Sequence, residues 1–190
     1  IASIPPPSPT SCSPTHGLDL SSATATQSST DHGGVPSRPI ASANPSSYYY
    51  SGTCSHTSGT DDSPWWSVDL GDSYAVSKVR VLNRGDCCGE LLNGFSVLVG
   101  DVVCASDVQI SQGESKDVAC VGTGSSVTIS LPGSGTALTL CEVKVLQGLY
   151  LLQQHPHRHH THFILHRLAA AHAAAQHAST SAAVSAPPAV

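Results

Sequence analysis

The sequence predicts an all-β domain, an antiparallel sandwich stapled by disulfides. Short segments alternate apolar and polar residues, clusters of Gly, Asn, Asp and Ser separate them, and six of the seven cysteines fall between Cys54 and Cys141. An alternation with period two gives a strand one apolar and one wet face, the pattern of antiparallel sheets. Thiols stay reduced in the cytosol, so this cysteine density points to an oxidising, extracellular setting, secreted or associated with a wall or matrix.

A chain of 190 residues accommodates one domain with tails. Residues 1–16 hold Pro5, Pro6, Pro7, Pro9 and Pro14 among serines and threonines, a polyproline-type linker that cannot build a core. Its Pro-Pro-Pro-Ser-Pro run is compositionally similar to wall glycoproteins. Ile1 to Pro9 carry neither an initiator Met nor a charged leader, so the natural N-terminus is expected upstream. The β-rich signal covers residues 17–148. Residues 149–190 form a biased tail: no Asp or Glu occurs beyond Glu142, and eight of the eleven histidines fall between His155 and His177. Phe163 to Ala178 is Ala-rich and predicts at most a frayed helix. With no carboxylates to orient the rings, a functional metal site is not expected there.

Within the domain, Pro64-Trp65-Trp66-Ser67-Val68-Asp69-Leu70-Gly71 reads as a strand entered through a proline and ended by a turn. Adjacent strand residues face opposite ways, so one tryptophan belongs to the core and the other nearer the surface. Val79 and Val81, then Phe95, Val97 and Val99, then Val127, Ile129 and Leu131, and finally Cys141, Val143 and Val145 each mark the apolar face of a further strand. Turns are expected at Gly71-Asp72, Asn93-Gly94, Gly122 to Gly124 and Pro132-Gly133. No strong helical periodicity appears before residue 147.

Only 11% of residues are charged and the net charge is -5, which excludes the basic stripe that nucleic acid requires. No apolar run reaches the roughly 18 residues that membrane insertion by a helix needs. The six domain cysteines allow 15 connectivities. Zinc fits poorly, because no C-x2-C spacing repeats. Cys87 and Cys88 are the informative pair. Neighbouring Cα atoms lie about 3.8 Å apart, below the usual disulfide range, so a bond between them closes a strained ring of the kind found at functional sites. From spacing alone, that bridge and two bridges to distant partners stand level.

Cys54-Ser55-His56-Thr57, Pro64 to Leu70, Asn83-Arg84-Gly85-Asp86-Cys87-Cys88-Gly89-Glu90 and Leu140-Cys141-Glu142-Val143 together resemble the F-type lectins (fucolectins), in order and with similar spacing over residues 17–148. The related discoidin-like domains share the Trp-Trp-x-Val-Asp-Leu strand but not the double-cysteine loop. The resemblance implies an eight-stranded antiparallel jelly-roll β-sandwich that binds α-L-fucose and catalyses nothing. It places a pocket at His56, Arg84, Cys87 and Cys88, and it implies bridges Cys54–Cys141, Cys87–Cys88 and Cys104–Cys120, with Cys12 left over. Arg84 would offer up to five donors and His56 one more, while the disulfide plate contacts the sugar's apolar edge. The expected partners are fucosylated glycans or glycoproteins, with homo-oligomerisation open. The resemblance also implies calcium, held by the backbone of Pro39 and Asn44, by Thr53, by the Cys141 carbonyl and by the Glu142 carboxylate.

The chain departs from the family at two places. Leu91 stands where a second Arg or Lys is usual, which removes one of three gripping side chains and weakens binding roughly tenfold to hundredfold. Ser42 stands where the calcium-binding Asp is usual, and Glu142 reads equally as a solvated strand charge. The path from His56 to Arg84 is one residue longer than expected, an insertion the loop Ser58 to Ser63 absorbs cheaply. A structural or adhesive module is the alternative, and Arg84-Gly85-Asp86 also spells an adhesion tripeptide. Against an enzyme, no nucleophile, zinc or phosphate-loop motif is present, and Asp61, Asp62 and Asp69 read as solvated loop acids.

Overall fold

The structure, a computed structural model, describes residues 16–133 and 135–148. The proline-rich segment up to residue 15, Cys12 and the His/Ala tail lie outside the described residues. Residue 16, expected in the linker, opens strand β1 (His16–Gly17). The further strands are β2 (Thr24–Gln27), β3 (Ser55–His56), β4 (Trp65–Leu82), β5 (Phe95–Val99), β6 (Val102–Val108), β7 (Ser115–Ser130), β8 (Thr139–Leu140) and β9 (Glu142–Gln147), with one short helix α1 (Arg38–Ala41). All pairings are antiparallel.

Two long strands carry the sandwich. The beginning of β4 pairs with β2 and with the end of β7, whereas its second part, from Val76 to Leu82, pairs with β9 and with the start of β7. One hydrogen-bonded sheet, in the order β1-β9-β4-β7-β5-β6 with β2 added on β4, thus bends around the core. The sequence expectation of a turn at Gly71-Asp72 is corrected here. The Asp69 carboxylate accepts the Gly71 N–H at 2.9 Å and the register slips between Asp69 and Tyr74, so the turn chemistry bends β4 through a bulge instead of ending it. Gly122 to Gly124 is corrected likewise, since β7 runs through it unbroken. A Cβ on Gly124 would lie 2.7 Å from the Gly100 nitrogen, so glycine is required there by the close approach of the β5–β6 turn.

The alternating residues bury as the pattern requires. Val79, Val81, Phe95, Val97, Val127, Ile129 and Val145 are fully buried in one core cluster. Trp66 is fully buried and donates its indole N–H to the Pro36 carbonyl at 2.8 Å, while Trp65 remains 37% exposed. Burying a tryptophan without a partner for its N–H costs stability, and the Pro36 carbonyl meets that need. The described residues hold nine strands, three of them only two residues long: β1 on the edge of the large sheet beside β9, and β3 and β8 in a small sheet of their own; the architecture is the antiparallel jelly-roll sandwich. Cys104–Cys120 ties β6 to β7, and Cys54–Cys141 ties the segment before β3 to the β8–β9 junction.

Candidate functional site

The small β3–β8 sheet sets His56 at one end of the sandwich, where it pairs with Thr139. Its backbone is fixed from several sides: the N–H donates to Gly34 O at 2.9 Å, and the carbonyl accepts from Asp31 N at 3.0 Å and from Gln27 Nε2 at 3.2 Å. The loop at Gly34 can come this near only without a side chain, since a Cβ there would sit 2.5 Å from His56 N. The ring's Nδ1 lies 2.6 Å from the Thr57 carbonyl, which only accepts, so Nδ1 carries the proton. Burial pushes His56 below the ordinary imidazole value; the Thr57 carbonyl pulls the other way, and nearby His32 and Arg84 push it down further. A neutral ring with its proton on Nδ1 has Nε2 left as an acceptor, whereas the sequence expectation was of a donor.

Arg84 comes from the loop after β4. Asn83, itself buried, donates from Nδ2 to Gly89 O at 2.8 Å and Ile110 O at 2.9 Å, and its Oδ1 accepts the Arg84 N–H at 2.7 Å. That amide therefore shapes the whole loop. The Arg84 guanidinium lies 4.4 Å from the centroid of the Tyr49 ring. It grips Asp86 with two bonds, Nε to Oδ1 at 3.0 Å and Nη2 to Oδ2 at 2.8 Å. Hydrogen bonds from Arg84 hold the Asp86 carboxyl at about 2, against an ordinary 3.8, and the same pair raises Arg84. Both side chains are nearly buried, 11% and 10% exposed, so the Arg-Gly-Asp tripeptide folds onto itself and is not displayed for adhesion.

Cys87 and Cys88 are bridged to each other, with Cys88 in the left-handed region at φ 58, a backbone state uncommon for a side-chain-bearing residue. His56, Arg84, Cys87 and Cys88 share one cavity of about 390 Å³ with His32, Tyr49 and Tyr50. The structure therefore brings all four expected pocket residues together. It adds a His32 ring standing edge-on to His56 at 5.1 Å, and a Tyr49 whose hydroxyl donates to the His32 carbonyl at 2.9 Å. Sequence reasoning missed His32, Tyr49 and Tyr50, and it gave Asn83 and Asp86, both inside the double-cysteine loop motif, no role in the site. The three consecutive tyrosines at 48–50 were the available signal in the sequence, and the structure leaves Tyr48 and Tyr50 exposed. Leu91, half-buried on a single 3-10 turn (Gly89–Leu92), is not among the walls of this cavity.

The expected calcium ligands divide. Pro39, Ser42 and Glu142 line one cleft of about 270 Å³, whereas Asn44, Thr53 and Cys141 are not among its walls. Ser42 Oγ accepts the Asn44 N–H at 3.2 Å, Thr53 Oγ1 donates to Ser46 O at 2.6 Å, and Glu142 is ion-paired with Lys144 at 2.6 Å. Asp61 is no solvated loop acid, for its Oδ2 accepts from Ser28 Oγ and Ser29 Oγ, each at 2.6 Å, and ties two loops together.

Residues 42–139 match the family profile described as "NedA-like, galactose-binding domain", of the F5/F8 type C group. Fucolectin-2 of Anguilla japonica is 39% identical over 127 residues, 60% of this chain and 69% of the relative. Among solved structures, the f-lectin (fucolectin) from the serum of striped bass, Morone saxatilis, aligns with TM-score 0.64 and 32% identity over 70% of this chain and 49% of that one. A fucose binding module of Streptococcus pneumoniae aligns with TM-score 0.61 and 29% identity over 70% of this chain and 96% of that one.

Proposed function

The chain belongs to the F-type lectin (fucolectin) family of F5/F8 type C domains, and from that premise we propose that its carbohydrate-binding pocket takes a terminal α-L-fucose. The convergence of Arg84, His56 and the Cys87–Cys88 bridge on one cavity carries this reading. Asp86 occupies Nε and Nη2 of Arg84, while Nη1 has no protein partner among the described residues and is left to donate to sugar oxygens. His56 Nε2 accepts a hydroxyl hydrogen. Together these groups bind one donor and one acceptor of a sugar, and the disulfide plate covers an apolar edge such as the methyl of a 6-deoxy sugar. No group here is arranged to activate water or to protonate a leaving group, and the relatives named above are lectins and a binding module. The disulfides fit a secreted protein meeting glycans outside the cell.

A glycan array probed with multimerised protein tests the proposal, because multivalency recovers weak sites by about 10² to 10⁴. Signal on α-L-fucosyl termini that disappears in Arg84→Ala and His56→Ala supports it. Silence across the array favours the second reading, a structural module that keeps the fold without the sugar, which Leu91 is the reason to retain. In that experiment Leu91→Arg is expected to strengthen fucose binding roughly tenfold to hundredfold by restoring a charged hydrogen-bond donor.

A further inference from the structure

We infer that Lys144 is the built-in counter-ion of Glu142, and that it takes the place of a divalent cation in the cleft between β9 and the segment Pro39 to Ser42. Glu142 is only 6% exposed, and its buried Oε1 makes no hydrogen bond with good geometry, yet Lys144 Nζ lies 2.6 Å from it. Residues two apart on a strand share a face, so β9 itself sets the ammonium over the carboxylate. A charge buried this deeply requires an opposite charge, and Lys144 supplies it.

The residues around this carboxylate do not fit calcium. The ion takes six to eight oxygens and is tightened by charged ones. Glu142 is the sole carboxylate of the expected set, and Lys144 cancels it. The Ser42 hydroxyl already accepts the Asn44 N–H at 3.2 Å. Thr53 Oγ1 donates to Ser46 O at 2.6 Å and accepts the Ser46 N–H at 3.3 Å. Asp19, the other carboxylate lining the cleft, accepts the Ser21 N–H at 3.0 Å. A second cation, Arg80, stands opposite Lys144 on β4 and is paired with Asp117 at 2.6 Å. A calcium ion entering here would meet Glu142 already paired with the Lys144 ammonium and Asp19 already turned to a backbone N–H.

Thermal unfolding of the full chain tests the inference without any reference to sugar, so its failure is separate from failure of the lectin reading. The wild-type midpoint is expected to be the same, within about 1 °C, in EDTA and in about 5 mM CaCl₂, because a ligand that does not bind the folded state cannot shift it. A saturable rise with calcium overturns the inference. Lys144→Gln combined with Ser42→Asp removes the competing cation and restores a carboxylate, and this variant is expected to gain a calcium-dependent rise in midpoint. If neither protein responds, Lys144 is not what excludes the ion and the assignment falls. Should the double variant fail to fold, titration calorimetry of the wild type with CaCl₂ decides: no binding heat supports the inference, and a one-site isotherm overturns it.

Discussion

Arg84 keeps one edge of its guanidinium for the pocket because Asp86 occupies the other. The planar fork is what makes this division possible, and an ammonium has no second edge to offer. Arg84→Lys is therefore expected to weaken glycan binding at least tenfold while leaving the melting temperature within a few degrees, and Asp86→Asn to weaken it as well by freeing the guanidinium to rotate. Titration of fucosylated ligand beside thermal melts of each variant checks both. His56 predicts a dependence on pH. Its folded value lies below the ordinary 6.5, so the unfolded chain binds the proton more readily. The stabilising contribution is present above about 6.5 and is lost as pH falls through the lowered folded value. Protonation also turns Nε2 from acceptor to donor beside His32, Arg84 and Asp31. The midpoint of the wild type is expected to fall more steeply than that of His56→Gln between pH 7 and 5, and melts across that range measure it.

At the scale of elements, β4 shows how a strand divides its work. Trp66 fills the core from one face and Trp65 lies on the other. Trp66→Ala is expected to cost about 3 to 5 kcal/mol, and Trp65→Ala a small fraction of that, as denaturant titrations of the two variants would show. The strands were legible because period two survives in short stretches such as Phe95 to Val99, where every second residue is buried. Turns were less legible. Gly71-Asp72 and Gly122 to Gly124 have turn composition, yet the first bends a strand and the second makes room for a neighbour. Local composition records that a glycine is needed, and only the packing says whether a bulge, a turn or a close approach needs it.

For the whole molecule, the pocket depends on joining loops far apart in sequence: His32 before α1, Tyr49 and Tyr50 before β3, His56 on β3, and Arg84 to Cys88 after β4. The two-residue β3–β8 pair is too short to hold its place alone, and the Cys54–Cys141 bridge, spanning 87 residues, fastens it to the edge of the large sheet. Replacing both cysteines by serine is expected to cost about 2 to 5 kcal/mol and to lower sugar binding along with the melting temperature, which paired melts and binding titrations would reveal. The sequence by itself predicted the all-β class through strand alternation and pointed through cysteine density to an oxidising compartment, because both are local properties of the chain; the place of the site came from the resemblance carried by the double-cysteine loop, since spacing alone left its bridging open. Only the tertiary structure decided that the His56 Nδ1 lies against the Thr57 carbonyl, that Asp86 anchors Arg84, that the tyrosines and His32 wall the pocket, and that Lys144 lies over Glu142. Each of these depends on a burial or a partner set by the fold, and for His56 and Glu142 a neighbour in sequence becomes decisive only once burial has removed the water.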